Sequence, residues 1–336
     1  DYRKRIARVV LGKALRLTCL MLFGAFVLPV LYLVEPFKKL RLGCLPSDRL
    51  GHLALNTDLF LRRQKLYGVP GNTVYVFLSG TPSNRQLLTM FRRSLTIFEN
   101  KWFPRIFSGI LPVLGRTRFY QDLPMSSNEY YEFNNAGVSL FFAREEDKRG
   151  MRFLKTMGIT EDDWFVCIYV RDSNYLKLRY PKKDWTYHDH RNSDINEFRL
   201  AIDYIVSSGG YVIRMGAFPE KRLDYKHDHV IDYACDCRDD FMDIFLAARC
   251  KFFIGAAGGG SNVPIIFDVP WACVNSVPIG FVPFGKSNIY IPKKVKSRET
   301  GQYVSYVDLL GMKSDWIVDG NRFNELGFEY EDNSAV

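Results

Sequence analysis

Short apolar segments alternate with longer amphipathic segments along most of the chain. In the first part, "KLRLGCL" and Thr73–Ser79 predict strands, and the segments "LALNTDLFLRRQKL" and 84–98 predict helices. A helix is predicted over 143–157, and another from Asp194 to Ser208. The strands predicted after residue 160 are "WFVCIYVRD", "YVIRMG", "HVIDYA", "KFFIGA" and "WACVN". Strands that alternate with crossover helices predict mostly parallel sheets covered on both faces.

The segment from Leu17 to Val34 carries no charge and spans about 27 Å as a helix, slightly less than a bilayer core. Pro29 should kink this helix and Gly24 should loosen it, which favours a re-entrant or interfacial anchor over a straight span. A buried core helix is the alternative. Basic residues flank the segment on both sides, namely Arg3, Lys4, Arg5, Arg8, Lys13, Arg16, Lys38, Lys39 and Arg41. This pattern favours attachment to an anionic membrane surface.

The length of 336 residues predicts two lobes. We expect a membrane anchor over 1–38, an N-terminal acceptor-side lobe over 39–140, a C-terminal donor-binding lobe over 141–310 and a tail over 311–336 that packs back on the lobes. The formal net charge of +9 favours an anionic partner. Seven cysteines without a regular framework, and no Asn-x-Ser/Thr acceptor, indicate free thiols in a reducing compartment.

A glycine loop, Gly258–Gly260, stands between a predicted strand and a predicted helix. Ligands of parallel sheets bind at the carboxyl ends of strands, and glycines there let backbone N–H groups approach an anion. Ser261 and Asn262 can cap the helix or donate to the same anion, so the loop predicts a diphosphate site. It is neither a P-loop nor a G-x-G-x-x-G fingerprint. The alternative is that the small residues only permit close packing of strand and helix.

Two other segments carry candidate donor-binding residues. Arg171 follows an apolar strand, where a guanidinium can bind phosphate oxygens bidentately, although a structural ion pair with Asp172 would explain it equally well. In "YHDHRNSD" the two histidines lack a clear third metal ligand. We expect Ser193 or Asp194 to cap a helix there. The remaining polar positions predicted to line the binding edge are Asp189, His190, Arg191 and Asn192, with Arg214 and Gly216 after the next strand.

Candidate catalytic residues follow the first strand, in "PSDRLGH". His52 could accept a proton near neutral pH, with Asp48 as the runner-up, whereas a structural loop histidine is the alternative. We expect Arg49, Gly51 and Asp58 to face an acceptor.

Several of these motifs resemble one family. "CLPSDRLGHLALNTDLFLR", "YVRD", "HRNSDINEFRLAIDYIVSSGGYVIRMG" and "FFIGAAGGGSNVPIIFDVPWACVN" are similar to bacterial glycosyltransferases of surface carbohydrates, over most of residues 40–290. "RLGHLALN" is also similar to the first glycine loop of heptosyltransferases and fucosyltransferases of the GT-B fold. "YVRD" resembles the fucosyltransferase strand whose arginine holds the donor diphosphate. His52 stands where heptosyltransferases carry an aspartate base.

The resemblance implies an α/β protein of GT-B type with two facing Rossmann-like lobes. It implies a nucleotide-sugar donor in the C-terminal lobe, a glycan or lipid-linked acceptor in the N-terminal lobe, and inverting transfer for surface polysaccharide synthesis. It also implies no metal and no cofactor, because arginine and a helix N-terminus neutralise the leaving diphosphate. With the anchor, this predicts an enzyme on the cytoplasmic face of the membrane, without a nucleic-acid partner. A non-catalytic scaffold for anionic lipid or polyanion is the alternative, and an NAD-dependent epimerase or dehydrogenase is a second one.

Overall fold

The computed structural model describes residues 12, 14, 17–124 and 129–334. Two compact units, Asp1–Met125 and Ser126–Val336, make up the chain. The division falls before the boundary expected near residue 140, because aromatic side chains after residue 130 pack inside the second unit. Phe133 stacks on Phe284 with ring centroids 5.0 Å apart, and Phe142 meets Phe245 edge to face at 5.2 Å.

The N-terminal unit contains a parallel sheet of three strands in the order β1-β2-β3. Leu42 of β1 also forms a parallel bridge with Tyr120, which adds a fourth strand position on the free side of β1. The strands are β1 (Lys39–Cys44), β2 (Thr73–Ser79) and β3 (Thr96–Glu99). The helices are α1 (Leu17–Val34), α2 (Leu50–Tyr67), α3 (Arg85–Phe91) and α4 (Phe103–Leu114). Counted from β3, the order is 3-2-1-4, so the strand order reverses beside β1.

The prediction of one helix over 84–98 was wrong in its second half. The side chain of Asn84 caps α3 by accepting a hydrogen bond from the backbone N–H of Leu87 at 2.8 Å, as expected of a helix start. The helix ends at Phe91, and Thr96–Glu99 forms β3, in which Ile97 is buried. The threonine, isoleucine and phenylalanine of this segment are also good strand residues. Pairing with β2 therefore determines that the segment forms a strand.

Helix α1 contains a π-helical turn, Phe23–Val27, directly before Pro29. In a regular α-helix, positions eight apart face about 80° away from each other, whereas positions seven apart differ by about 20°. A π turn accommodates one extra residue. Phe23 and Leu31, eight positions apart, therefore both face the protein and pack into one apolar cluster with Phe107, Ile110, Leu114 and Phe119.

The other side of α1 is exposed. By length and composition alone, Leu17–Val34 is apolar enough to cross a membrane, with a mean hydropathy of 2.4, and only 11% of it is buried. Large apolar side chains that face solvent along it and just beyond it are Leu22, Phe26, Val30, Leu33 and Phe37. The helix is attached to its unit by a narrow apolar contact and leaves a wide apolar surface uncovered.

The C-terminal unit is built on six parallel strands in the order β6-β5-β4-β7-β8-β9. The strands are β4 (Phe165–Tyr169), β5 (Tyr211–Met215), β6 (Val230–Ile231), β7 (Phe252–Gly255), β8 (Trp271–Ser276) and β9 (Ile289–Pro292). Numbered within the unit, the order is 3-2-1-4-5-6, that of the doubly wound dinucleotide-binding fold. Its topological switch point lies between β4 and β7. The residues of β4 and β5 are almost all buried, because helices cover both faces.

Helices and a short hairpin complete this unit. The helices are α5 (Tyr130–Asn135), α6 (Arg144–Thr156), α7 (Asn174–Arg179), α8 (Arg199–Ser207), α9 (Tyr233–Asp236), α10 (Asp240–Arg249), α11 (Asn262–Ile266), α12 (Tyr306–Gly311) and α13 (Gly320–Glu325). Thr186–Arg191 and Ile195–Phe198 are 3₁₀ turns, so the helix predicted from Asp194 is regular only from Arg199. Antiparallel strands β10 (Lys294–Ser297) and β11 (Phe328–Glu331) bring the C-terminal segment onto this unit, where Asn333 donates to the side chain of Asn275.

Candidate active site

The switch point of the C-terminal sheet is tightly closed around Tyr169, the last residue of β4. A Cβ atom on Gly255 would lie 1.8 Å from the backbone oxygen of Tyr169, and Gly255 has a φ of 149°, so only glycine fits there. The Tyr169 ring packs on the glycine loop, since a Cβ on Gly258 or on Gly260 would lie 2.9 Å from its atoms. Close packing is therefore one function of these glycines.

One backbone N–H group of the loop already has an acceptor. The Gly258 N–H donates to the Ser261 hydroxyl at 2.8 Å. Ser261 is fully buried, whereas Gly259 is exposed. Helix α11, which follows, has only five residues and offers little helix dipole. The loop thus supplies shape at the switch point and less positive charge than its sequence suggested. The roles predicted for Gly258–Asn262 in diphosphate binding stay predictions.

Two arginines supply positive charge at this edge of the sheet. Arg171 follows β4 and is buried, and its Nη1 donates to the backbone oxygen of His188 at 3.1 Å and to Asn192 Oδ1 at 2.5 Å. Arg191 reaches from the 3₁₀ turn to the other side of the switch point, where its Nη2 donates to the backbone oxygen of Ala257 at 3.3 Å. The structural ion pair considered for Arg171 and Asp172 is not formed, because Asp172 accepts from the backbone N–H groups of Asn174 and Glu220.

The electrostatics of the two arginines are unfavourable without a ligand. Burial, followed by the charge of Arg171, lowers the pKa of Arg191 to about 10, and burial lowers the pKa of Arg171 as well. Over the described ranges, neither guanidinium has a carboxylate within ion-pair distance, and the buried Nε of Arg191 has no acceptor. Two desolvated cations side by side create a strong attraction for an anion.

His190 and Lys293 extend this basic cluster. Neither ring nitrogen of His190 has a hydrogen-bond partner among the described residues, and its ring stacks on Tyr330 at 5.4 Å. Burial, and then the charge of Arg191, lowers the pKa of His190 to about 4, so the imidazole is neutral at physiological pH. Lys293 is buried, donates to the backbone oxygen of Asn192 at 2.8 Å and forms an ion pair with Asp332. Sequence reasoning missed Lys293.

A cavity of about 280 Å³ opens at the carboxyl ends of β4 and β5. It is lined by Val170, Asp172, Asn192, Ser193, Asp194, Ile195, Arg214, Glu220, Lys221 and Asp332. Asn192 connects it to the arginines, because its Oδ1 accepts from Arg171. Asp194 caps the following turn, and the backbone N–H of Asn196 followed by Lys221 lowers the pKa of its carboxyl. The cavity wall is rich in carboxylate oxygens, which are good acceptors for hydroxyl groups.

Of Arg214 and Gly216, both predicted to line the binding edge, Arg214 lines the cavity and Gly216 does not. Arg214 lines the cavity, but its Nη1 pairs with Asp232 at 3.0 Å and its Nη2 donates to the backbone oxygen of Lys221 at 3.1 Å. Most of its hydrogen-bonding capacity is used to hold this edge of the sheet. Gly216 has a φ of 148° and does not line the cavity. A φ of 148° favours glycine, which explains why a glycine stands at this position.

The candidate base lies at the switch point of the N-terminal sheet. His52, in the first turn of α2, is half-buried, and its Nδ1 is 3.3 Å from Asn56 Oδ1. Asn56 is 1% exposed, and its Nδ2 donates to the backbone oxygen of Pro124 at 2.7 Å. Asp48 is exposed in the loop before α2, where its charge, after burial, contributes to raising the pKa of Cys44 to about 11.

The predicted acceptor-side residues do not share one environment. Arg49 is exposed, whereas Gly51 is buried in the first turn of α2. Asp58 is fully buried and pairs with Arg62, whose Nε lies 2.6 Å from Asp58 Oδ2. A carboxylate enclosed in an ion pair one helical turn away belongs to the core of its unit, so the acceptor-facing role expected for Asp58 does not fit the structure.

Two doubly wound units with mostly parallel sheets define a GT-B-like glycosyltransferase fold, as the sequence resemblance implied. The structure is similar to a glycosyl transferase family 9 protein from Veillonella parvula, with a TM-score of 0.51 and 14% sequence identity over 86% of this chain and 96% of that one. ADP-heptose LPS heptosyltransferase II of E. coli gives a TM-score of 0.49 and 10% identity, over 76% and 90% of the two chains. No protein-family model and no curated protein matches the chain.

Where the structure describes the chain, no group of three or more His, Cys, Asp or Glu side chains is arranged to hold a metal ion. The predicted site residues instead form two groups, one in each unit. Arg171, Asp172, Asn192 and Asp194 meet around the β4 end of the C-terminal sheet, next to Arg191. His52 and Asp48 lie at the β1 end of the N-terminal sheet.

Proposed function

We propose that this protein is an inverting glycosyltransferase that uses a nucleoside diphosphate sugar as donor. The observation that carries the proposal is a pair of arginines, the buried Arg171 and the half-buried Arg191, at the switch point of a doubly wound sheet. Each arginine can present a guanidinium fork to phosphate oxygens. A diphosphate there would neutralise two charges that the protein otherwise buries at a cost.

The leaving diphosphate gains the most from this arrangement. Negative charge grows on the diphosphate as the glycosidic bond breaks, and fixed cations in a desolvated site stabilise it, by about 3 kcal/mol per donor group. Arg171 is held in place by the His188 backbone and Asn192, so it does not need to reorganise during the reaction. The carboxylates of Asp172 and Asp194 would accept hydrogen bonds from hydroxyl groups of the donor in the adjoining cavity.

His52 is the proposed general base. It would take the proton of an acceptor hydroxyl, which attacks the anomeric carbon opposite the departing diphosphate and inverts its configuration. We favour His52 over Asp48 because a hydrogen bond to Asn56 orients its ring, whereas Asp48 is exposed. The proposed acceptor is a glycan or a lipid-linked saccharide of a surface polysaccharide.

We also propose that α1 attaches the protein to the cytoplasmic face of a membrane, lying in the interface with its exposed apolar face in the lipid. Phe23 and Leu31 hold the opposite face of the helix on α4. Exposed Lys38 and Lys39 follow the helix and suit an anionic lipid surface.

Nucleotide binding tests the donor site. The full chain should be stabilised against heat by at least one nucleoside diphosphate from a set of ADP, GDP, UDP and CDP. Arg171→Lys should remove most of this stabilisation, because an ammonium group cannot donate bidentately. Arg222→Lys is the matched control, since Arg222 is exposed and pairs with Asp236. Stabilisation by none of the four would refute the proposal, and stabilisation by NAD alone would favour a dehydrogenase or epimerase.

A further inference from the structure

The hydrogen bonds around His52 define which of its ring nitrogens carries the proton. A backbone carbonyl oxygen can only accept, so the Asn56 atom that faces the Pro124 oxygen at 2.7 Å must be the amide nitrogen. The amide oxygen of Asn56 therefore faces His52 Nδ1 at 3.3 Å. This oxygen can only accept, which requires a proton on Nδ1.

We infer that Asn56 is a positioning residue that holds His52 in the Nδ1–H tautomer and leaves the lone pair on Nε2 for an incoming proton. The inference rests on the proposed role of His52 as the base. Asn56 is buried in α2, and its partner Pro124 follows the Tyr120 strand position, so two segments that meet at the switch point fix the amide. The tautomer of a histidine is set by the hydrogen bond of its other nitrogen.

The chemical consequence is that only one atom of the His52 ring can accept the proton. A base transfers a proton through one atom, and the atom must carry a lone pair at the moment of attack. With Nδ1 protonated and held by α2 itself, only Nε2 can act, and the ring cannot turn over without breaking the Asn56 contact. Sequence reasoning had no signal for Asn56, because an asparagine inside a helix usually faces solvent.

Nitrogen NMR of the full chain in detergent micelles tests the tautomer without requiring activity. The chain has five histidines, so selective ¹⁵N labelling gives few ring signals, and His52→Gln identifies those of His52. Near pH 9 the wild type should show the Nδ1–H pattern. Asn56→Asp loses the hydrogen bond to the Pro124 oxygen but retains an acceptor for Nδ1–H, so it should keep that pattern, whereas Asn56→Leu should give a mixture of tautomers. A wild-type Nε2–H pattern, or no change in Asn56→Leu, would overturn the inference.

Kinetics separate this inference from the proposed function. Asn56→Leu should lower kcat by about tenfold or more with little change in the KM of the donor, and Asn56→Asp should recover much of the loss. Equal loss in both variants, with both folded by thermal unfolding, would show a merely structural role and overturn the positioning role. An undiminished kcat in His52→Gln would refute His52 as the base, while the NMR result would still decide the tautomer.

Discussion

Replacing Arg191 with methionine should make the unliganded protein more stable while it removes nucleotide binding. The pKa of Arg191 falls from 12.5 to about 10, mainly because its guanidinium is desolvated. The folded state therefore binds this proton less tightly than the unfolded state does. At pH 7 both states are protonated, so the whole electrostatic penalty is present, and it is relieved only as the pH rises above about 10.

The size of the effect follows from that shift. At 1.36 kcal/mol per pKa unit, burial of the charged group together with the nearby charge of Arg171 destabilises the folded state by about 3 kcal/mol. Methionine retains an apolar stem of similar length but loses the hydrogen bond to the Ala257 backbone oxygen, which costs about 1 kcal/mol. The expected net gain is about 2 kcal/mol, or a rise of about 4 to 8 °C in the Tm of the C-terminal unit.

The assay is thermal and denaturant unfolding of both proteins, each with and without the best nucleoside diphosphate. Arg222→Met is the control, because Arg222 is exposed and ion-paired, and it should change neither stability nor nucleotide binding appreciably. If Arg191→Met destabilised the free protein by a similar amount, the arginine would be contributing to folding. The argument that it is retained for an anion would then fail.

Three further predictions concern the glycine loop, the half-buried His190 and the membrane face. Gly260→Ala should destabilise the protein by about 1 to 3 kcal/mol in denaturant unfolding, because the new Cβ meets the half-buried Tyr169 ring. Gly259→Val should leave stability unchanged and weaken nucleotide binding, because Gly259 is exposed. The reverse pattern would contradict a role of Gly259 in binding. The pKa of His190 is near 4 in the folded state, so as the pH falls below about 6.5 its imidazole is protonated in the unfolded state first. The wild type should therefore lose more stability between pH 6.5 and 4 than His190→Phe does. Equal losses would refute the pKa shift. Phe26→Glu should lower binding to vesicles that contain anionic lipid several-fold in co-sedimentation. Tyr67→Glu should not, since Tyr67 is exposed at the end of α2, away from α1 in the sequence. Unchanged binding of Phe26→Glu would argue against the membrane face.

The exposed face of α1 is better tested by such substitutions than by deletion. If residues 1–38 formed a separable anchor, as the sequence predicts, their removal should yield a soluble protein. In the structure, removal would expose Phe107, Leu114 and Phe119, which Phe23 and Leu31 cover. An insoluble deletion variant would therefore not distinguish an anchor from a core helix.

The sequence predicted those parts of the site that follow directly from a strand. Arg171 could be found because it ends an apolar segment, and strand ends of a parallel sheet meet at one edge. Lys293 could not, since "PKKVK" resembles a solvated basic run, and only the turn from β9 into β10 buries its first lysine. The glycine loop was located correctly, yet its contact with Tyr169 depends on the distance between β4 and β7, which no local pattern encodes.

Local sequence patterns also failed to predict the structure of a segment that could form either a helix or a strand. Residues 84–98 have a helical apolar pattern throughout, and no glycine or proline marks the end of α3 at Phe91. Pairing of β3 with β2 determines the outcome. Pro29 and Gly24 correctly indicated an irregular helix, although the irregularity is a widened turn rather than a sharp kink.

The widened turn at Phe23–Val27 determines which changes of chain length the attachment of α1 tolerates. Removing one residue there would leave Phe23 and Leu31 seven positions apart in a regular α-helix, about 20° from each other, so both would still pack on α4. Inserting one residue would instead rotate everything after it by about 100° about the helix axis, and Leu31 would leave the cluster. A one-residue insertion should therefore act as a rotary switch that turns the lipid-facing surface of the second half of the helix, whereas a one-residue deletion should not.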